Sequence, residues 1–313
     1  MEIILQVSLL IVGFIMLMKG ADWFVDSASK IADMFGIPQL VIGLTIVAMG
    51  TSMPEAAVSI SAAMKGSAEI TIGNVLGSNI LNILIILGLT SVIRAVSVQK
   101  STIKCEIPFM IAVSVLLTVF GVFDGTVGRL EGGILWVFMI IYLLYLLRMA
   151  KNGQPSDDEI PPLSKKDTPL RLVLLVLIGV VMIVWGSDIT VDAATSLARI
   201  FGMSERFIGL TIVALGTSLP ELVTSVTAAI KGKSDIAVGN IVGSNIFNIL
   251  FVVGSTALIT PVAYSANFMV DSIVAIGATV FLWVCVIMKK KLNRPAGVVK
   301  LLAYAAYFVY LLQ

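Results

Sequence analysis

One passage of this 313-residue chain is written twice, and any fold the chain adopts has to use the same unit twice. Residues 43–88 align with 209–254 without a gap, at a constant offset of 166, with 27 identities in 46 positions. Gly50-Thr51-Ser52-Met53-Pro54-Glu55 returns as Gly216-Thr217-Ser218-Leu219-Pro220-Glu221. Gly73-Asn74-Val75-Leu76-Gly77-Ser78-Asn79-Ile80-Leu81-Asn82 returns as Gly239-Asn240-Ile241-Val242-Gly243-Ser244-Asn245-Ile246-Phe247-Asn248. The offset reaches back to the first helix of each half, where Gly20, Asp22 and Asp26 match Gly186, Asp188 and Asp192.

Composition says where the repeated unit sits. The chain is 58% hydrophobic and 13% charged, against about 25% charged for a soluble domain, so it belongs in a bilayer. About 20 apolar residues cross the hydrocarbon core as a helix. Spans are expected near 4–28, 38–64, 70–93, 107–123, 132–149, 169–195, 205–230, 236–259, 268–288 and 296–312. The N-terminus lacks the positive region of a signal peptide, so the first stretch reads as a retained helix. Five spans per copy is an odd number, so the second copy enters the membrane from the opposite side. The expected fold is an all-α polytopic membrane protein of ten transmembrane helices in two inverted five-helix repeats. Residues 1–149 form the first repeat, 150–168 a cytoplasmic linker and 169–313 the second. Inverted repeats are a transporter design, with the site at the midplane between them. With both termini outside, sixteen Lys and Arg fall on the cytoplasmic side and four on the other. The positive-inside rule therefore puts the termini outside a plasma or inner membrane.

Other classes are disfavoured. A net charge of +2 without a basic arm gives nothing to grip nucleic acid. The chain has no His, and Cys105 and Cys285 stand alone. A disulfide framework, a Cys/His zinc site and a Ser–His nucleophile are thus not expected, nor is a cofactor or an enzyme activity. Asp157, Asp158 and Glu159 in the linker match no calcium-loop spacing and read as solvated. A monomer suffices for the design.

The chemistry lies in the repeated passages. Pro54 lacks an N–H and clashes with the carbonyl of Gly50, and Pro220 does the same to Gly216. The broken helices free carbonyl oxygens, which membrane depth tolerates only beside protein or water. Glu55 and Glu221 then sit near mid-membrane, where a carboxylate costs roughly 2.5–3.5 kcal/mol and marks a functional position. No Lys or Arg lies at that depth in these spans to neutralise either one, leaving metal cations or protons. Ser78 and Asn82 share a helix face, as do Ser244 and Asn248, and each pair offers a hydroxyl and an amide oxygen. Asn74 and Asn240 lie one turn earlier, while Asn79 and Asn245 point elsewhere and read as interhelical glue. Asp22, Asp26, Asp188 and Asp192 read as solvated helix ends, with Lys19 snorkelling or pairing with one of them.

These two duplicated motifs resemble the alpha repeats of the sodium/calcium exchanger (cation/calcium antiporter) superfamily, in a compact, prokaryotic-type form. The resemblance implies antiport of Na⁺ for Ca²⁺ by alternating access, with Glu55 and Glu221 as acidic ligands. It implies backbone oxygens of Thr51 and Thr217 on calcium, and Ser52, Ser218, Ser78 and Ser244 around the sodium sites with the carbonyls of Ala48 and Ala214. Asn82 and Asn248 flank the centre, and the first and sixth helices slide across this core. Some members carry Asp at the position of Asn248; the amide leaves two carboxylates and puts a potassium requirement in doubt. Calcium/proton antiport on the same scaffold is the nearest alternative, and an acidic-filter cation channel is one from another class. Transport of Mg²⁺ fits the oxygen ligands, whereas zinc does not.

Overall fold

The computed structural model describes residues 2–68, 70–152, 163, 167–203 and 214–311. Eleven principal helices run through them: α1 (Glu2–Phe35), α2 (Gln39–Thr51), α3 (Met53–Met64), α4 (Ile70–Ile93), α5 (Thr102–Asp124), α6 (Arg129–Asn152), α7 (Pro169–Ile200), α8 (Leu219–Ile230), α9 (Ser234–Ile259), α10 (Phe268–Lys289) and α11 (Arg294–Leu311). Among the described residues, seven helices are long and apolar enough to cross a membrane, or eight if the bent pair α2–α3 counts as one span. Ten were expected. The seventh and tenth places are occupied by α8, whose preceding residues 204–213 lie outside the described set, and by α11, which carries Lys300. Most of the proposed linker, 153–162 and 164–166, also lies outside the described residues.

The distribution of polarity is inside-out relative to a soluble protein. Ile3, Ile4, Leu144, Leu147, Ile273 and Val284 are exposed, whereas Glu55, Asn82, Glu221, Ser244 and Asn248 are buried. A surface of branched aliphatics around a polar centre suits a hydrocarbon solvent. The most enclosed helices are α4 and α9, which carry the repeated Gly-Asn…Ser-Asn passages.

Glycine permits the closest approaches. The long helices α1 and α7 pack antiparallel, Gly13 against Gly186 and Gly20 against Gly179. A Cβ built on Gly20 would stand 2.9 Å from the Gly179 carbonyl oxygen, and one on Gly179 would stand 2.9 Å from that of Gly20. At 34 residues α1 reaches about 50 Å at ~1.5 Å per residue, past the expected end at residue 28.

Two short antiparallel ribbons tie sequence-distant loops together. β1 (Val96–Ser97) pairs with β4 (Lys291–Leu292), Val96 opposite Leu292. β2 (Thr126–Val127) pairs with β3 (Val262–Ala263), Val127 opposite Val262. The β1 loop of the first half thus meets the β4 loop of the second, and the corresponding β3 and β2 loops meet with their halves exchanged.

Candidate ion site

In each repeat a helix starts directly after a serine. The backbone of Ser52 (φ −84°, ψ 7°) leaves the helical region between α2 and α3, which meet at 47°. Ser218 adopts nearly the same conformation (φ −92°, ψ 4°) between the short turn Ala214–Gly216 and α8. A new helix begins one residue later in each case, so Pro54 and Pro220 fall in a first turn, where no N–H is needed. Glu55 and Glu221 fall in the same first turns, at the helix ends whose free N–H groups favour negative charge. The expected clash with Gly50 and Gly216 is thereby relieved by restarting the helix. The Gly216 carbonyl accepts a hydrogen bond from Ser187 Oγ of α7 at 2.8 Å.

Both carboxylates have no solvent exposure. Ser52 Oγ, at the break between α2 and α3, donates to Glu221 Oε1 of α8 at 2.8 Å. Ser78 Oγ lies 3.5 Å from Glu55 Oε1. Thr51 Oγ1 is 3.0 Å from Asn240 Oδ1, and Ser244 Oγ donates to the Ala48 carbonyl at 3.3 Å. These contacts bring Ala48, Thr51, Ser52, Glu55, Ser78, Glu221 and Ser244 to one place. Ser218 is buried and Thr217 half-buried beside it in sequence. Ala214 begins the short turn before that break; only its backbone is described.

A framework of asparagines surrounds them. Asn74 Nδ2 donates to the Glu55 carbonyl (3.2 Å) and to Ser59 Oγ (2.9 Å). Asn240 Nδ2 does the same for the Glu221 carbonyl (3.4 Å) and Ser225 Oγ (2.9 Å). Asn79 and Asn245 face each other, each donating to the other's main-chain carbonyl at 3.3 and 3.2 Å. Asn82 Nδ2 donates to Asn245 Oδ1 at 2.8 Å, and Asn248 Nδ2 to Asn79 Oδ1 at 3.2 Å. Asn82 and Asn248 each open a π-helical stretch, 82–86 and 248–253, a local widening common at functional sites.

Five oxygens of this cluster are buried and lack a protein partner: Glu55 Oε2, Glu221 Oε2, Asn82 Oδ1, Asn248 Oδ1 and Ser218 Oγ. A buried acceptor without a partner costs about 1–3 kcal/mol, more when charged. Two belong to the carboxylates, two to amides one helical turn beyond Ser78 and Ser244, and one to the break at Ser218, a set suited to something that carries positive charge. Among the described residues no three His, Cys, Asp or Glu side chains gather into a metal-binding group. The cluster instead mixes carboxylate, amide, hydroxyl and carbonyl oxygens, the ligand set of hard cations.

Sequence reading missed two features. Asn79 and Asn245 do join helices, but they also hold Asn82 and Asn248, and no spacing rule indicates that. Asp22 and Asp26 are not merely solvated. Lys231 Nζ lies 3.0 Å from Asp22 Oδ1 and 2.8 Å from Asp26 Oδ2, and Lys233 Nζ lies 2.6 Å from Asp26 Oδ1. The partners are these two lysines rather than Lys19.

The sodium/calcium exchanger protein family model matches residues 5–148 and 171–313. Inner membrane protein YrbG of Escherichia coli is 38% identical, covering 98% of this chain and 96% of its own length. Sodium/calcium exchanger MaX1 of Methanosarcina acetivorans is 31% identical, with 97% of each covered. A solved structure of the sodium-calcium exchanger NCX_Mj, soaked without Na⁺ and Ca²⁺, superposes with a TM-score of 0.84 at 31% identity over 99% of each chain.

Proposed function

The chain belongs to the sodium/calcium exchanger family, a family of cation/Ca²⁺ antiporters, and from that premise we propose that it exchanges Na⁺ for Ca²⁺ at a site shared by Glu55 and Glu221. The observation that carries this reading is the set of five buried, unpartnered oxygens, one on each of the two carboxylates and three on Asn82, Asn248 and Ser218. Ca²⁺ takes six to eight oxygen ligands in a flexible geometry. Here the carboxylates of Glu55 and Glu221 supply the charge. The backbone oxygens of Thr51 and Thr217 complete the calcium position. Ser52, Ser78, Ser218 and Ser244, with the carbonyls of Ala48 and Ala214, form flanking positions for Na⁺, and Asn82 and Asn248 stand beside the centre.

Two carboxylates give a formal charge of −2. One Ca²⁺ neutralises it, and three Na⁺ would leave +1, making a three-for-one exchange electrogenic. The two loads share carboxylates, so they exclude each other. The empty, charged site resists passage across the apolar barrier, and exchange rather than leak follows. The architecture proposed for this cycle is ten spans in two inverted repeats, 1–149 and 169–313, joined by a cytoplasmic linker. Its support is reciprocity. The Asn79–Asn245 contact, the α1–α7 glycine crossing and the two ribbons each map onto their counterpart when the halves are exchanged. The glycine crossing brings the α1 and α7 backbones into close contact, which supports movement of the two as one unit across the core. The Escherichia coli relative is named an inner membrane protein. The same location is proposed here, with both termini outside.

The test is calcium flux into proteoliposomes under a sodium gradient, a proton gradient or neither, with the membrane potential clamped. Uptake driven by sodium alone, lost in Glu55→Gln and Glu221→Gln, is the expected result. Uptake driven only by protons would move the reading to Ca²⁺/H⁺ antiport. Unsaturable flux without a counter-ion would make the protein a channel.

A further inference from the structure

We infer that Asn79 and Asn245 are positioning residues, each fixing which way the amide of a site asparagine on the opposite half faces. The inference rests on the ion-site reading above. Hydrogen-bond polarity fixes the directions. A main-chain carbonyl only accepts, and the carbonyls of Asn245 and Asn79 receive the side-chain amides of Asn79 and Asn245. Each of those side chains must therefore turn its nitrogen to the carbonyl, which leaves its oxygen for the next neighbour. That neighbour is Asn248 for Asn79 and Asn82 for Asn245. Facing an oxygen, Asn248 and Asn82 have to present their nitrogens.

The end of each chain of constraints is an amide oxygen. Oδ1 of Asn82 and of Asn248 is buried and without a protein partner, one helical turn from the serines Ser78 and Ser244 that belong to the carboxylate cluster. A reversed amide would direct an N–H, with its partial positive charge, at the same spot and repel a cation. Asn79 and Asn245 thus keep the ion site acceptor-only at two positions, without touching the ion. The partnership crosses between the halves. Asn79 governs Asn248 rather than Asn82, which lies three residues away on its own helix.

That crossing makes the inference testable by double-mutant cycles on the full chain, with ⁴⁵Ca²⁺ binding in detergent and sodium-driven uptake after reconstitution into proteoliposomes as readouts. Asn79→Ala is expected to raise the Ca²⁺ half-saturation concentration roughly tenfold, more than it lowers the maximal rate. In an Asn248→Ala background the same change should add almost nothing, whereas in an Asn82→Ala background its effect should multiply in full. The cycle of Asn245 with Asn82 should behave in the mirror manner, and reads the same relay if Asn79→Ala does not fold. Effects that multiply in the Asn79–Asn248 and Asn245–Asn82 cycles would reduce both residues to interhelical glue and overturn the inference. If wild-type protein binds no Ca²⁺ and takes none up, the ion-site reading falls and the relay falls with it. Wild-type binding with multiplying cycles removes the relay alone.

Discussion

Ser52 and Ser218 occupy equivalent breaks in the two copies, yet their hydroxyls have different neighbours. Ser52 Oγ is committed to Glu221 Oε1, while Ser218 Oγ is buried without a partner. Removing the first takes a 2.8 Å donor from a buried carboxyl oxygen, and removing the second takes away a proposed ligand but no internal bond. Ser52→Ala should therefore lower stability by about 1–3 kcal/mol, read as the thermal midpoint in detergent without added cations. Ser218→Ala should leave that midpoint nearly unchanged and reduce the extra stabilisation that Na⁺ or Ca²⁺ confers on wild type. Equal behaviour of the two variants in both measurements would show that the pairing does not distinguish the serines.

Helices α2 and α9 meet backbone to backbone at Gly43 and Gly239. A Cβ built on Gly239 would stand 3.0 Å from main-chain atoms of Gly43, and one on Gly43 would stand 3.0 Å from the Asp235 carbonyl oxygen. Backbone cannot rotate away, so Gly239→Val has to push the two helices apart. A loss of about 1–3 kcal/mol is expected, together with weaker Ca²⁺ binding, because α2 carries Thr51 and α9 carries Ser244. Thermal unfolding and ⁴⁵Ca²⁺ titration of the same sample check both halves of that prediction. The helices themselves are legible in the sequence because hydrocarbon demands long apolar runs: the charge-free run 70–93 coincides with α4. The Pro-Glu breaks were legible because proline cannot continue a hydrogen-bond ladder. The π-helical openings at Asn82 and Asn248 were not, since a widened turn uses the same residues as an ordinary one. The amide relay was hidden as well. It depends on how α4 and α9 cross, which no spacing within either helix encodes.

Over the whole molecule, the proposed sidedness puts the β1–β4 ribbon in the cytoplasm and the β2–β3 ribbon outside. Thr126 and Lys291 are both exposed. In a chain with Cys105 and Cys285 replaced, Thr126→Cys should react with an impermeant maleimide added to intact cells, and Lys291→Cys only after the membrane is opened. The reverse pattern would invert the topology. The acid–base cluster at Lys231 and Lys233 lies on the proposed cytoplasmic side. Burial pulls the pKa of Lys233 below the ordinary lysine range, and Asp26 opposes that pull. Without the aspartate, the folded protein holds this proton less tightly than the unfolded chain does, so stability rises with pH. Asp26→Asn should therefore cost about 1 kcal/mol at neutral pH, with the deficit shrinking as pH climbs toward the lysine range in thermal melts. The cluster also breaks the duplication. Where the second copy has Lys233 the first has Ser67, and Asp188 and Asp192, the counterparts of Asp22 and Asp26, are exposed. Under the proposed two-sided cycle, opening the face that carries this clasp has to part its ion pairs first, a demand for which the opposite face shows no counterpart among the described residues.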